Sequence, residues 1–213
     1  MNNKLHVSKV SRISDRLMHI KIGYTNEDGD DGEVVNRRRR QGAPSCCWDI
    51  VAVYAPTNCS TDNQVKARFW DKLNGLVTEI ESDNRRNNNY ISKIVVLGDF
   101  NARVSREECN ELNGIIGKFG LPNQHTNENG RRLIQLCSRF GLALANTFSR
   151  EKTYGTWFHR RTHKWFTIDY GLIKQTDMKY MEKCFINKDF NHLAFHRSDH
   201  SMIQLTFKFR KQF

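Results

Sequence analysis

Apolar and polar residues alternate along the chain in blocks that change between strand spacing and helix spacing. Strand composition occurs at 16–22 and 48–54, and 94–97 is a short, continuous apolar run of the kind buried on both faces of a sheet. Two further strands are predicted at 167–173 and 202–209, the last with apolar residues at every second position. Strands therefore outnumber helices in this sequence.

Two segments have helical spacing. Over 65–80, apolar residues recur at steps of three and four, and Thr61 or Asp62 stands where a helix cap is expected. A second helix is predicted to begin at Asn127 and to end at Gly141. Helices placed between strands predict an α/β or α+β fold in which a few helices cover the sheets.

The length and composition predict a single domain over residues 1–213. The chain is 38% hydrophobic, enough to bury a core. Residues 25–45 and 83–89 are polar, and we interpret them as loop insertions. The arginine run Arg37–Arg40 fits a solvated loop best, with a nuclear-import or phosphate-binding patch as the alternative.

Charge is the first indication of a partner. Lys and Arg outnumber Asp and Glu by 34 to 23, which favours polyanions: nucleic acid first, then anionic lipid surfaces or phosphorylated small molecules. No segment is long and apolar enough to span a membrane, no secretory signal is recognisable, and the six cysteines are scattered. We expect a nuclear or cytoplasmic protein that is not secreted, does not bind membranes and keeps its cysteines reduced.

The first candidate site residues follow directly after the apolar run 94–97. Asp99 and Asn101 follow Gly98 and, two residues apart, share one face of an extended chain. Open sheets place ligands at the carboxyl ends of their strands, which favours a functional site. The alternative is a pair of polar residues that only caps a turn.

A second candidate site precedes the last strand. Asp199 and His200 stand side by side there, and they offer a hard oxygen ligand and a proton donor. Asp169 lies within an otherwise apolar strand, where a carboxylate is costly unless it is paired. We therefore expect Asp169 to pair with His200, to orient the imidazole and to raise the pKa of His200.

Eight motifs in order resemble one known family. The sequence is similar to the endonuclease/exonuclease/phosphatase superfamily, and within it to the endonucleases of LINE-type retrotransposons and the craniofacial-development-protein-like branch. The motifs span roughly residues 5–213 and are VYAPT (53–57), GDFNARV (98–104), GKFG (117–120), NENGRRLIQLC (127–137), LALANTF (142–148), TW (156–157), IDY (168–170) and SDH (198–200).

The resemblance implies a fold of two packed, mostly antiparallel sheets flanked by helices. It also implies hydrolysis of phosphodiesters with a divalent metal ion, Mg²⁺ or Mn²⁺. By position, Asp99 would position the attacking water, Asn101 would hold the phosphate and metal environment, and Tyr54 would contact the phosphate. These roles suit phosphoryl transfer, in which positioning and electrostatics supply most of the catalysis.

The same resemblance assigns roles near the end of the chain. Asp199 would help at the metal, and His200, oriented by Asp169, would stabilise the phosphorane. Relatives carry two further strands and a helix at the start of the domain, and an Asn and a Glu on those strands, the Glu being their principal metal ligand. Because no matching Glu precedes the strand 16–22, we expect a domain truncated at its N-terminus, with weakened metal binding.

A basic and aromatic segment is the candidate substrate-binding region. Cations neutralise phosphates, and aromatic rings stack on bases. The alternative is a hairpin whose aromatic side chains enter the core and whose cations are solvated. The residues predicted to bind nucleic acid are Arg150, Lys152, Trp157, Arg160, Arg161 and Lys164.

The sequence thus favours a metal-dependent phosphodiester hydrolase, a monomeric DNA endonuclease of retrotransposon origin. The missing Glu leaves a catalytically inactive nucleic-acid-binding remnant as the first alternative. A phosphatase acting on inositol or lipid phosphates is the second.

Overall fold

The computed structural model describes residues 4–25, 47–59, 62–86, 92–112, 114–150, 155–187 and 198–208. The predicted loop at 25–45, with Arg37–Arg40, lies outside these ranges except for Thr25, which ends a strand. The described α-helices and strands are β1 (Lys4–Arg12), β2 (Leu17–Thr25), β3 (Cys47–Tyr54), α1 (Asn63–Arg86), β4 (Ser92–Asp99), α2 (Glu128–Phe140), β5 (Leu142–Leu144), β6 (Trp157–His159), β7 (Lys164–Phe166), β8 (Asp169–Lys174), β9 (Met181–Asn187) and β10 (Met202–Phe207).

Six of these strands form one mixed sheet in the order β1-β2-β3-β4-β8-β5. The β3–β4 pair is parallel and the other pairs are antiparallel. A second, two-stranded sheet contains β9 and β10, and β6 pairs with β7 in a hairpin. The predicted mixed α/β fold, with sheets flanked by helices, is confirmed.

Both predicted helices form, and their caps explain where they start. Asp62 Oδ1 accepts hydrogen bonds from the amides of Gln64 and Val65, 2.9 and 3.1 Å away, at the start of α1. Asn127 caps α2 through the amide of Gly130, and Gly141 ends that helix in the left-handed region at φ 59°. The other capping candidate, Thr61, lies outside the described residues.

One face of the six-stranded sheet packs against both helices. The apolar stripe of each helix meets side chains that point from the central strands to the same side, and together they form the larger core of the molecule. This core includes Val51, Val53, Phe69, Leu73, Val77, Val96, Leu133 and Leu136.

The structure contains strands that the sequence analysis did not predict, and it extends one helix. Strands β1, β5 and β9 were not predicted, and β6 and β7 form the hairpin that was the alternative for the basic and aromatic segment. Strand β1 pairs antiparallel with β2 through an irregularity between Val7 and Lys9. Helix α1 continues to Arg86, so residues 83–86 of the predicted loop 83–89 are helical, while 87–89 lie outside the described residues. Within the part of the chain that the structure describes, no helix is both long and apolar enough to cross a membrane.

Candidate active site

Three polar side chains form a row across adjacent strands of the six-stranded sheet. The strand register pairs Tyr54 of β3 with Asp99 of β4, and Asp99 with Asp169 of β8. Directly paired residues project to the same face of a sheet, so the two carboxylates face each other. Tyr54, beside them, is 54% exposed and open to a ligand.

The backbone around Asp99 is shaped by its neighbours in sequence. Gly98 adopts φ +139°, and a Cβ atom there would lie 2.1 Å from the Val53 carbonyl oxygen, so β4 requires glycine at this position. Asn101 adopts φ 47°, its amide donates to Asp99 Oδ1 at 2.7 Å, and its side chain donates to the Ala55 carbonyl at 2.8 Å. The turn after β4 therefore holds Asp99 and Asn101 together on one side.

His200 completes the site from the segment that precedes β10. Its Nδ1 atom lies 3.1 Å from Asp169 Oδ2, so the pairing expected from the sequence is present. Asp199, which precedes His200 in the sequence, accepts a hydrogen bond from the Trp157 indole at 3.2 Å. The Trp157 ring also lies beside His200, with 6.3 Å between the ring centroids.

The electrostatics of the site differ from those of isolated side chains. Burial, with the facing charge of Asp169 added to it, raises the pKa of Asp99 to about 6. The hydrogen bond to Asp169, together with the nearby charges of Asp169, Asp99 and Asp199, raises the pKa of His200 above its ordinary value. The site therefore favours a protonated imidazole beside two carboxylates.

A metal ion could be held at this point. Among the described residues, the group whose ligand atoms all lie within 4.8 Å of one another consists of Asp99, Asp169 and His200. Asp199 is not a member of that group, and its role as a metal ligand stays a prediction. Carboxylate oxygens are the ligands that Mg²⁺ and Mn²⁺ prefer, so the donor set suits a hard dication.

Sequence reasoning missed three side chains that support the site. Thr156 Oγ1 accepts hydrogen bonds from the amides of Ile168 and Asp169, at 3.0 and 3.1 Å, and thereby fixes the start of β8. Asn146 holds the same strand through the Asp169 carbonyl. The Arg16 guanidinium lies 5.3 Å from the Tyr54 ring centroid and adds a cation to the edge of the site. Thr156 and Asn146 stand in the TW and LALANTF motifs, but the motifs gave them no role, because each acts on a residue distant in sequence.

The predicted nucleic-acid-binding residues fall mostly on the β6–β7 hairpin. Arg160, Arg161 and Lys164 are exposed near its tip, and Arg150 is exposed before it. Lys152 lies outside the described residues. Trp157 is half-buried at the base of the hairpin, packed between Phe166 and His200, so it is neither a core residue nor a free stacking platform.

Sequence comparison places the chain beside much longer proteins. No protein-family model matches it. It is 34% identical over 128 residues to craniofacial development protein 2 of Bos taurus, a match that covers 60% of this chain and 18% of that protein. The same protein of Tragulus javanicus matches with the same identity and covers 19% of its own length. The chain thus spans less than a fifth of the curated relatives it matches.

Solved nucleases share the fold at low sequence identity. An AP endonuclease from Archaeoglobus fulgidus matches with a TM-score of 0.57 and 17% identity, over 96% of this chain and 72% of that one. The 3′ phosphatase NExo from Neisseria, bound to a product DNA hairpin, matches with a TM-score of 0.54, 16% identity and 96% and 70% coverage.

A retrotransposon enzyme is also among these structures. The endonuclease domain of TRAS1, a telomere-specific non-LTR retrotransposon, matches with a TM-score of 0.54 and 10% identity, over 97% of this chain and 70% of that one. The predicted resemblance to the craniofacial development proteins is confirmed by the sequence match over 128 residues. The structural matches show that the chain shares the fold of these nucleases.

Proposed function

We propose that this chain is a metal-dependent phosphodiester hydrolase of the endonuclease/exonuclease/phosphatase superfamily, and specifically a DNA endonuclease of retrotransposon type. The observation that carries the proposal is the placement of His200 on Asp169 beside a second carboxylate, Asp99. This arrangement concentrates an acid and two anionic groups at the open end of a sheet, where a phosphate can reach them.

The site has the electrostatic character that a divalent cation would relieve. Two facing carboxylates repel each other, which contributes to the raised pKa of Asp99, and a dication between them would remove that repulsion. Asp99 and Asp169 would therefore hold Mg²⁺ or Mn²⁺. The ion would supply Lewis-acid assistance at the phosphate.

Each side chain of the site has a separate role in the proposed hydrolysis. Asp99 orients a water molecule and takes its proton as the water oxygen bonds to phosphorus. Protonated His200, held by Asp169, donates a hydrogen bond to the phosphorane and neutralises its growing charge. Tyr54 donates a hydrogen bond to a phosphate oxygen, and Asn101, whose side chain donates to the Ala55 carbonyl and to Asp99, holds Asp99 beside the phosphate. The bond from phosphorus to the 3′ oxygen breaks, and the leaving oxygen takes a proton from solvent.

DNA is the substrate that the surface charge favours. The exposed cations of the β6–β7 hairpin stand on the same element as Trp157, which contacts His200. Phosphates bound along the hairpin would thus lead the strand toward the site. The formal net charge of +11 supports the same substrate class. We propose further that residues 1–213 act as one domain.

A plasmid assay tests this function. Supercoiled DNA is incubated with the purified chain in Mg²⁺ or in EDTA, after circular dichroism has shown that the chain is folded. We expect nicked circles only when Mg²⁺ is present. In Mg²⁺, His200→Gln should nick the plasmid at least about 100-fold more slowly than the parent. The matched control is His6→Gln, because His6 is exposed on β1, opposite Gly23 and away from the strand end that carries the site. Nicking that survives both EDTA and His200→Gln contradicts the proposal.

A nucleic-acid-binding protein without catalysis is the second candidate. It is favoured by the small donor set, because the described residues bring only two carboxylates and one imidazole into the metal group. A folded chain that retards DNA in a gel yet never nicks it would support this candidate. Loss of that retardation in Arg161→Ala, but not in His6→Gln, would assign the binding to the hairpin.

A further inference from the structure

The turn that carries Asp99 and Asn101 is attached to the start of α2. The Asn127 side chain donates to the Asn101 carbonyl at 3.1 Å and accepts from the Arg103 amide at 3.0 Å. The Asn127 amide donates to the Arg103 carbonyl at 3.1 Å. A Cβ atom on Gly130 would lie 2.0 Å from that carbonyl oxygen, so glycine allows α2 to pack directly against it. The backbone of Arg103 is therefore fixed, two residues beyond Asn101.

The Arg103 side chain reaches from this turn to the β6–β7 hairpin. Its guanidinium carbon lies 5.1 Å from the centroid of the Phe166 ring on β7. Phe166 in turn packs beside Trp157, with 6.1 Å between the ring centroids, and Trp157 packs beside His200. Arg103 thus lies where the candidate active site meets the base of the hairpin.

The charge of Arg103 is not balanced by a carboxylate. Among the described residues, no Asp or Glu forms an ion pair with Arg103, whereas Arg132 pairs with Glu128 at 3.1 Å. Arg103 is nonetheless half-buried. An aromatic ring occupies one face of the planar guanidinium and leaves the N–H groups in its plane able to bind an anion. Such a cation suits a phosphate, which a guanidinium binds through two parallel hydrogen bonds.

We propose that Arg103 is a substrate-binding residue that holds one backbone phosphate of DNA, next to the phosphate at Asp99 and His200. This inference rests on the proposed function, because it places DNA at the same site. Two residues of chain span at most about 7 Å, so Arg103, which follows Asn101 by two residues, is within reach of a neighbouring phosphate. The contact fixes the register of the strand without reading its bases. The alternative is that Arg103 only ties the turn to Phe166 of the hairpin.

DNA binding without cleavage tests the proposal. A short fluorescein-labelled duplex is titrated with the full chain in EDTA, and its fluorescence anisotropy is followed at several salt concentrations. The logarithm of the binding constant falls linearly with the logarithm of the salt concentration, with a slope set by the number of phosphates contacted. We expect Arg103→Ala to weaken binding about tenfold and to reduce the magnitude of that slope by about 0.9, the contribution of one phosphate. Arg103→Lys, which keeps the charge, should retain the slope.

The matched control is Arg139→Ala. Arg139 also lies over an aromatic ring, 5.2 Å from the Phe140 centroid, but at the opposite end of α2 from Asn127. Its replacement should leave both the affinity and the slope unchanged. Circular dichroism shows that each variant is folded, and Arg103→Gln takes the place of Arg103→Ala if the alanine variant does not fold. A residue that only tied the turn to the hairpin would not change the slope.

Nicking kinetics relate the phosphate contact to the site. In Mg²⁺, Arg103→Ala should raise KM about tenfold and leave kcat within about threefold of the parent, because the contact is made equally before and during the reaction. An unchanged salt slope in Arg103→Ala, or a loss of kcat at unchanged KM, overturns the inference even when the parent nicks DNA. So does a parent chain that does not bind the duplex. If the parent binds DNA without nicking it, and only Arg103→Ala reduces the slope, the phosphate contact is supported and the proposed endonuclease is contradicted instead.

Discussion

Two aspartate–histidine pairs among the described residues behave in opposite ways. Asp49 of β3 accepts from His19 of β2 at 2.7 Å, and a hydrogen bond from Ser92 satisfies its second oxygen. The side chains of His19 and Asp49 are 12% and 2% exposed. At the candidate active site, the side chains of His200 and Asp169 are 35% and 16% exposed, and a second carboxylate replaces the serine.

The surroundings decide what each pair can do. Burial alone would raise the pKa of Asp49, but hydrogen bonds from His19 and Ser92 and the charge of Lys21 outweigh it and lower that pKa. At the other pair, burial and the charge of Asp169 raise the pKa of Asp99. A pair whose bonds are all satisfied stabilises the fold, whereas a site with surplus negative charge is prepared for a cation or a proton.

Replacing one aspartate at each site separates the two roles most strongly. Asp99→Asn should lower the rate of plasmid nicking by about 100-fold to 10,000-fold, because it removes the group that orients and deprotonates water. Asp49→Asn should leave the rate per folded molecule within about threefold of the parent, because Asp49 lies on the helix-covered face. Rates are corrected for the folded fraction measured by circular dichroism. A similar loss in both variants would contradict the distinction.

Stability should respond in the reverse order. Asp49→Ala leaves His19 and Ser92 without their buried partner and should lower the free energy of unfolding by about 3 kcal/mol. Asp169→Ala should cost about 1 kcal/mol, since the partner His200 remains near solvent. Urea unfolding followed by tryptophan fluorescence gives both values. If Asp169→Ala proved the more damaging change, the buried pair would not be the structural one.

The pH dependence of stability should have opposite signs at Asp49 and Asp99. In EDTA, Asp99 has a pKa of about 6 in the folded chain and its ordinary value of 3.8 in the unfolded chain. The contribution of Asp99 to the free energy of unfolding therefore falls as the pH rises from 4 to 7. Asp49, with its lowered pKa, contributes stability above 3.8 that is lost as the pH falls through its folded value.

The two asparagine variants measure those signs. Between pH 4 and pH 7, Asp99→Asn should gain about 2 kcal/mol of unfolding free energy relative to the parent. Asp49→Asn should lose unfolding free energy relative to the parent as the pH rises from about 2 to 4, and change little above pH 4. Urea titrations at about pH 2, 4 and 7 provide the comparison. Asp62→Asn is the matched control, because asparagine caps α1 as well as aspartate does. Shifts of the same sign in both test variants would contradict the electrostatic account.

The smallest expected effect concerns the residue that ties the hairpin to the site. Trp157→Phe keeps an aromatic ring beside His200 but removes the indole donor to Asp199. We expect the nicking rate per folded molecule to fall about threefold to tenfold, because one hydrogen bond to a charged group is lost. Tryptophan at this position would be dispensable if the rate were unaltered. The readout is kcat/KM on a labelled duplex, with Trp165→Phe on β7 as the control.

Five of the ten described strands, both helices and the positions of the candidate site residues at strand ends could be predicted because their signals are local. Helix α2 shows this, since its cap Asn127 and its terminal Gly141 are visible in the sequence. Strand β1 could not be predicted, because its irregularity puts Val7 and Val10 three residues apart on one face and breaks the alternation. The Asp49 pair was missed for another reason: His19 and Asp49 stand outside the eight motifs, whereas Asp169 and His200 stand in IDY and SDH.

Binding of Mn²⁺ followed by electron paramagnetic resonance tests the central claim most directly. Free Mn²⁺ is titrated into the full chain, into Asp99→Asn and into Asp62→Asn. We predict one site per chain in the parent and in Asp62→Asn, and at least about tenfold weaker binding in Asp99→Asn, because that carboxylate faces Asp169 in the metal group. Equal Mn²⁺ binding by all three proteins, or none by the parent, would contradict the assignment of Asp99, Asp169 and His200 as a metal-dependent active site.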